Sequence, residues 1–192
     1  MRTTIRPTRP TLTVGTLLAL MAGPGVAQQP AGLMADLLRD VSQVQEKLVG
    51  LANAMPEANY GWRPGQGVRS VGEVFQHVAA DNYLIPALLG TAPPASTGIK
   101  ADNYKTVQDY ETRKADRATI IADLEKSFAH LKKTMGETPA AKLGDEASFF
   151  GQKMTLQQAW ILATTHLHEH LGQAIAYARS NGIVPPWSRS GN

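Results

Sequence analysis

Apolar residues recur every three or four positions through four long stretches of this 192-residue chain, and segments rich in Gly and Pro separate them. This spacing places the apolar side chains on one face of a helix. It predicts helices at about 31–54, 71–89 and 106–135, and a last one from Thr155 to Asn181. No segment has a convincing strand pattern, so the sequence predicts an all-α protein, a four-helix bundle. The first helix carries Leu33, Leu37, Val41, Val44, Leu48 and Leu51 on its apolar face.

Capping motifs mark the ends of two of these helices. Ser70 with Glu73, and Thr155 with Gln158, have the spacing of a capping box, in which each side chain bonds to the other residue's backbone amide. Gly182 follows the last helix and supplies the left-handed residue with which many helices end. Short-range chemistry therefore defines where the second helix begins and where the fourth begins and ends.

The N-terminus has the pattern of a secretory signal peptide. Three arginines precede an apolar run at residues 12–22, and small residues lead to Ala27. A membrane anchor is the alternative, but the run is about half of the roughly 20 residues that span a bilayer. We expect cleavage after Ala27, so that residues 1–27 are a signal peptide and residues 28–192 form one domain in the periplasm or outside the cell.

Cleavage would remove three of the 19 basic residues and none of the 16 acidic ones. The mature chain would then be formally neutral, which argues against nucleic-acid binding. It would also retain no apolar segment long enough for a transmembrane helix. The chain has no cysteine, so disulfides, thiolate ligands and thiol nucleophiles are excluded.

Three of the five histidines are candidate metal ligands. His166 and His170 lie four residues apart and so point from one face of the last helix, which lets both imidazoles reach one ion. His77 lies in the middle of the second helix beside apolar residues. Three buried imidazoles need polar partners, and a divalent metal would satisfy them. The alternative is a set of structural histidines held by ordinary hydrogen bonds.

Three imidazoles leave a coordination position open, as in catalytic zinc sites. We expect zinc or nickel, with iron and manganese left open, because imidazole suits several of these ions. Asp81 is interpreted as a solvated or structural residue, with orientation of His77 as the alternative. Gln173 can reach the same pocket, and a structural role is its alternative. His168 and His130 are interpreted as exposed, His130 because lysines surround it in the sequence.

Three segments of the chain, taken together, resemble the DinB-like family. Residues 165–173 (THLHEHLGQ) resemble its last helix, and residues 70–78 (SVGEVFQHV) its second helix with a lone histidine. Residues 62–64 (WRP) are similar to the segment that precedes that helix. The resemblance implies an up-down-down-up four-helix bundle. It also implies a divalent metal held by His77, His166 and His170.

Some members of this family are thiol transferases or thiol-dependent isomerases, and dimers are common among them. The resemblance therefore implies a metal-dependent hydrolase or thiol transferase that acts on a small-molecule substrate, with a homodimer as one expected assembly. A helical bundle that binds metal or ligand without catalysis is the alternative.

Overall fold

The computed structural model describes residues 32–189, which form five α-helices, four short 3-10 turns and a two-stranded sheet. The helices are α1 (Leu33–Ala54), α2 (Val71–Leu88), α3 (Tyr104–Thr112), α4 (Arg117–Glu137) and α5 (Leu156–Ser180). The strands are β1 (Glu146–Phe149) and β2 (Gln152–Thr155), paired antiparallel. The signal peptide predicted at residues 1–27 lies outside the described residues.

The helix boundaries agree with the capping motifs. In the box at the start of α2, the Glu73 amide donates to Ser70 Oγ at 3.3 Å and the Ser70 amide donates to Glu73 Oε2 at 2.7 Å. Thr155 and Gln158 form the same pair of bonds at the start of α5. Gly182 follows α5 with φ 72°. Local sequence therefore determines these ends.

The single helix predicted at 106–135 is wrong, because the chain breaks into α3 and α4 between Thr112 and Arg117. Asp116 has extended backbone geometry, and its carboxylate accepts the Thr119 amide at 2.7 Å. This cap begins a new helix where the apolar spacing suggested a continuous one. The break lets α3 pack against α2 by itself.

The prediction of an all-α chain is incomplete, because residues 136–153, expected to be loop, contain β1 and the first half of β2. The hairpin has a two-residue loop, Phe150 and Gly151, between the paired residues Phe149 and Gln152. Phe149 is buried in the main core, which anchors the hairpin to the bundle.

Two contacts between α1 and α5, separated along both helices, show that these helices are parallel. Asp40 lies 2.8 Å from His168 near the start of α1. Just beyond the other ends, Asn59 donates to Asn181 at 2.8 Å. Because both contacts advance along the two helices in the same direction, α1 and α5 run side by side from the same end of the bundle.

The other two long helices, α2 and α4, are antiparallel to this pair. Arg117, at the start of α4, donates to the Asn53 carbonyl at the end of α1, and Gly136, near the end of α4, lies against Leu38 near the start of α1. Helix α2 is parallel to α4, since Asn82 bonds Ser127 and Gly72 lies against Ile120. The directions of α1, α2, α4 and α5 thus follow an up-down-down-up order.

The core between these helices is mainly aliphatic, with Phe75, Phe128 and Trp160 as its largest buried side chains. None of the helices within residues 32–189 combines the length and the apolar character needed to cross a bilayer.

The lysines around His130 in the sequence suggested a solvated ring, and this prediction is wrong. Its ring lies 5.3 Å from Tyr83, and among the described residues its Nε2 is buried without a hydrogen-bond partner. Burial, and secondarily the charge of Lys133, lower the pKa of His130 from the ordinary 6.5. The folded state therefore resists protonation of this ring.

Because the unfolded chain binds that proton more readily, stability is complete above the ordinary pKa and falls as the pH drops towards the lowered one. We expect the difference in unfolding free energy between the wild type and His130→Gln to shrink from about pH 8 to about pH 5. Urea unfolding at several pH values measures it, with His168→Gln as the exposed control. Parallel curves for wild type and His130→Gln would contradict this expectation.

Candidate metal centre

The structure brings His77, His166 and His170 together. One ring nitrogen from each of these residues lies within 4.8 Å of the other two. His77 Nε2 is 2.9 Å from His170 Nε2, and the rings of His166 and His170 are 4.4 Å apart. Helix α2 is antiparallel to α5, so residues later in α2 lie opposite residues earlier in α5. His77 lies opposite His170, and Asp81, one turn later, lies opposite His166. All three predicted ligands thus share one position between α2 and α5.

A carboxylate determines the orientation of the His77 ring. Glu111 Oε1 lies 2.7 Å from His77 Nδ1, and Glu111 Oε2 accepts from Arg69 Nη2 at 3.0 Å. Burial alone raises the pKa of Glu111, but the hydrogen bond with His77 and the pairing with Arg69 outweigh burial and lower it. An ionised carboxylate only accepts hydrogen bonds. His77 therefore carries its proton on Nδ1.

A chain of hydrogen bonds orients the His170 ring in the same way. Its Nδ1 lies 2.9 Å from Gln173 Oε1, Gln173 Nε2 donates to Tyr177 Oη at 3.1 Å, and that hydroxyl donates to the Arg69 carbonyl at 3.2 Å. A carbonyl can only accept, so the direction of every bond in the chain follows from it. His170 also carries its proton on Nδ1. Burial lowers the pKa of His170 to about 4, which keeps the ring neutral near pH 7.

The two Nδ1 protons leave the Nε2 lone pairs of His77 and His170 facing each other. At 2.9 Å these lone pairs repel unless a proton or a metal ion lies between them. Two nitrogens on one tetrahedral zinc ion, each about 2.0–2.1 Å from it, lie roughly 3.4 Å apart. Small side-chain shifts would reach that spacing. The donor set of three imidazoles, each neutral form with one free nitrogen, fits a divalent metal ion.

Asp81 faces the same point as the ring nitrogens. Its Oδ2 lies 2.7 Å from His166 Nε2 and 3.4 Å from His77 Nε2. Orientation of His77, the alternative considered for Asp81, belongs instead to Glu111, which bonds the opposite ring nitrogen. Asp81 therefore places a carboxylate oxygen beside the ring nitrogens of His77 and His166.

Glu111 was not among the residues predicted for the site, whereas the reach of Gln173 into it was predicted. Glu111 follows Tyr110 on the buried side of α3, and both are buried with Val107. A carboxylate on an apolar helix face signals a buried partner, because an unpaired buried charge is costly. The signal was present in the sequence, because Val107, Tyr110 and Glu111 have i, i+3, i+4 spacing on one helix face. His168, in contrast, is about half exposed, as predicted, and pairs with Asp40.

The centre opens on one side into a small cleft of about 90 Å³. Asp81 and His166 form its polar end. Its other walls are apolar and come from α2, α5 and the hairpin. They consist of Leu84, Ile85, Leu162, Phe149 and Phe150.

Outer hydrogen bonds of this kind commonly change metal affinity 10–100-fold. We therefore expect Glu111→Gln to weaken zinc binding by about 10- to 100-fold, because the neutral amide orients the His77 ring less strongly. Competition with a fluorescent chelator measures this affinity. Asp109→Asn is the control on the same helix, since Asp109 is exposed and pairs with Lys105. Equal affinities of Glu111→Gln and wild type would contradict the assignment.

Together the fold and the site define a helical-bundle protein with a candidate divalent-metal centre built from three histidines. The chain belongs to the DinB superfamily, whose family model matches residues 40–174. No curated protein matches it.

Solved structures show the same fold. A DinB-like protein from Bacillus cereus has a TM-score of 0.61 and 18% identity, with 79% of this chain and 95% of that chain covered. The DinB-like protein YjoA from Bacillus subtilis has a TM-score of 0.59 and 17% identity, with 78% and 93% covered. YfiT from Bacillus subtilis, described as a probable metal-dependent hydrolase with an unusual four-helix bundle topology, has a TM-score of 0.60 and 15% identity, with 82% and 93% covered.

Proposed function

We propose that this protein is a metal-dependent enzyme whose divalent ion is held by His77, His166 and His170. Hydrolysis is the first candidate reaction, and transfer of a group to a thiol or another nucleophile is the second. One observation carries the proposal: the Nε2 atoms of His77 and His170 face each other while both Nδ1 atoms are held by other groups. The description of YfiT as a probable metal-dependent hydrolase supports it.

A bound divalent ion would supply Lewis acidity and lower the pKa of a nucleophile such as water. The chain's own residues provide the rest of the chemistry. Glu111 and Gln173 hold the two rings in the tautomer that presents Nε2 to the ion. Asp81 lies beside the ring nitrogens and lines the cleft, so its Oδ2 can accept a proton from a nucleophile on that side.

A non-catalytic metal-binding protein is the second candidate, and the position of Asp81 favours it. If Asp81 is a fourth ligand, the centre has three nitrogens and one oxygen and no open position, as structural sites do. The cleft beside Asp81 and His166 supports the enzyme instead, because a closed structural site needs no access for a small molecule.

We also propose the setting in which this function operates. The N-terminal pattern suggests export to the periplasm or the exterior, with residues 28–192 as the mature chain. Zinc or nickel is the proposed ion, with iron and manganese as alternatives. The proposed partner is a small-molecule substrate, without nucleic acid or membrane, and a homodimer is the proposed assembly.

Elemental analysis of protein purified without a His tag tests the metal. We expect about one zinc or nickel ion per chain, as a three-histidine site for one ion requires. The loaded protein is then assayed with esters, amides and low-molecular-weight thiol acceptors. Metal-free protein that also fails to take up added zinc, nickel, iron or manganese would overturn the proposal. Stoichiometric metal without turnover of any of these substrates would favour the second candidate.

A further inference from the structure

The tip of the hairpin carries an aromatic residue where backbone geometry disfavours one. Phe150 has φ 50° and the next residue, Gly151, has φ 78°. Positive φ at both residues of a two-residue loop is the pattern of a type I′ turn, whose first position favours Asn, Asp or Gly. A bulky side chain at positive φ is a strained exception. Such strain commonly marks a functional position.

Folding does not account for the side chain of Phe150. The ring is 59% exposed, whereas the neighbouring Phe149 is buried and already anchors the hairpin. Among the described aromatic rings, two lie edge-on to the Phe150 ring. The distances between ring centres are 5.0 Å to Phe149 and 6.0 Å to the half-exposed Tyr104. The exposed ring forms part of the cleft wall that leads to Asp81 and His166.

The composition of the cleft describes what it can bind. Five of its seven lining residues are apolar, and the polar end carries the carboxylate of Asp81 and the imidazole of His166. No Lys or Arg lies among these seven residues, so the wall offers no counter-ion to an anionic substituent. About 90 Å³ suits a single ring or short branched alkyl group rather than a polymer.

We propose that Phe150 and Leu162 form a specificity pocket for a flat apolar group of the substrate, next to the atom that the metal engages. The substrate class is therefore a small molecule with a metal-binding polar head and an aryl tail. This inference rests on the proposed function, because the polar head needs the ion at the three histidines.

Benzohydroxamic acid and acetohydroxamic acid share one metal-binding head and differ only in the apolar tail, so they test the pocket directly. The protein is loaded with cobalt(II), and its visible spectrum and calorimetry report binding of each acid. We expect the aryl acid to bind the wild type about tenfold more tightly or better, as apolar groups do in a fitted pocket. Phe150→Asn and Leu162→Ala should bring the ratio of the two dissociation constants close to one.

Ile161→Ala is the matched control. Ile161 and Leu162 are neighbours on α5 and are equally exposed, at 38% and 37%, but Ile161 is not among the residues that line the cleft. We expect the control to keep the aryl preference. Phe150→Asn should also keep or raise the melting temperature, because Asn is favoured at this turn position.

Each outcome separates the two proposals. Equal binding of the two acids to wild type, or a full aryl preference in Phe150→Asn and Leu162→Ala, would overturn the pocket while the cobalt spectrum still supported the metal centre. A melting temperature lower by about 5 °C or more in Phe150→Asn would show that the ring serves stability, and would also overturn it. Failure of cobalt to bind would overturn the proposed function, and the pocket with it.

Discussion

Replacing His170 with alanine is expected to lower the affinity for zinc by about 100- to 1000-fold. Structural zinc sites with four ligands have apparent binding free energies of about 10–16 kcal/mol, so one ligand contributes roughly 2.5–4 kcal/mol. The substitution also releases Gln173 from its hydrogen bond. Chelator competition measures the affinity, and elemental analysis measures the metal retained on purification.

His168→Ala is the control for the loss of a histidine from α5. His168 lies two residues away, is about half exposed and pairs with Asp40 outside the centre. Wild-type affinity is expected in this variant. If His168→Ala and His170→Ala lost the same amount of metal, or if neither lost any, the three-histidine centre would be wrong.

Asp81→Asn is expected to lower turnover by about 100- to 10 000-fold, the range that a positioned general base contributes. The amide keeps the size of the carboxylate but cannot accept the proton of the nucleophile. Its metal content should stay near that of wild type, because the three imidazoles remain. The measurement is steady-state kinetics on whichever substrate the assays identify, together with elemental analysis of the same sample.

Asp40→Asn provides the matched control, since Asp40 also contacts a histidine of α5 but outside the centre. Its kinetics and metal content should match those of wild type. If Asp81→Asn instead loses metal to the extent that His170→Ala does, Asp81 is a ligand and the centre is closed. That result would support the non-catalytic candidate.

Much of the fold could be predicted because its information is local. The apolar spacing of 31–54 places α1 within two residues of its observed start and at its observed end. Ser70 and Thr155 mark the starts of α2 and α5 because each cap acts within one helical turn. The pairing of His166 with His170 follows from the same short-range geometry. The membership of the DinB superfamily that residues 165–173 and 70–78 indicated is confirmed.

Other elements depended on competition between local signals. The apolar residues of 106–135 fit one helix, but the Asp116 cap outweighs that continuity and divides α3 from α4. The hairpin, whose loop lies between Phe149 and Gln152, has only four residues in each strand. Such short strands carry little periodic signal. The burial of Phe149 in the core supplies the stability that its local sequence lacks.

The sequence by itself determined the helical class of this protein, the ends of its capped helices and the three histidines able to meet. The tertiary structure decided what surrounds them: Glu111 behind His77, Asp81 beside His166, and Phe150 over the cleft. These partners come from different elements separated by long stretches of chain. Their proximity results from how α2, α3, α5 and the hairpin pack, because no spacing rule within one helix relates residues on separate elements.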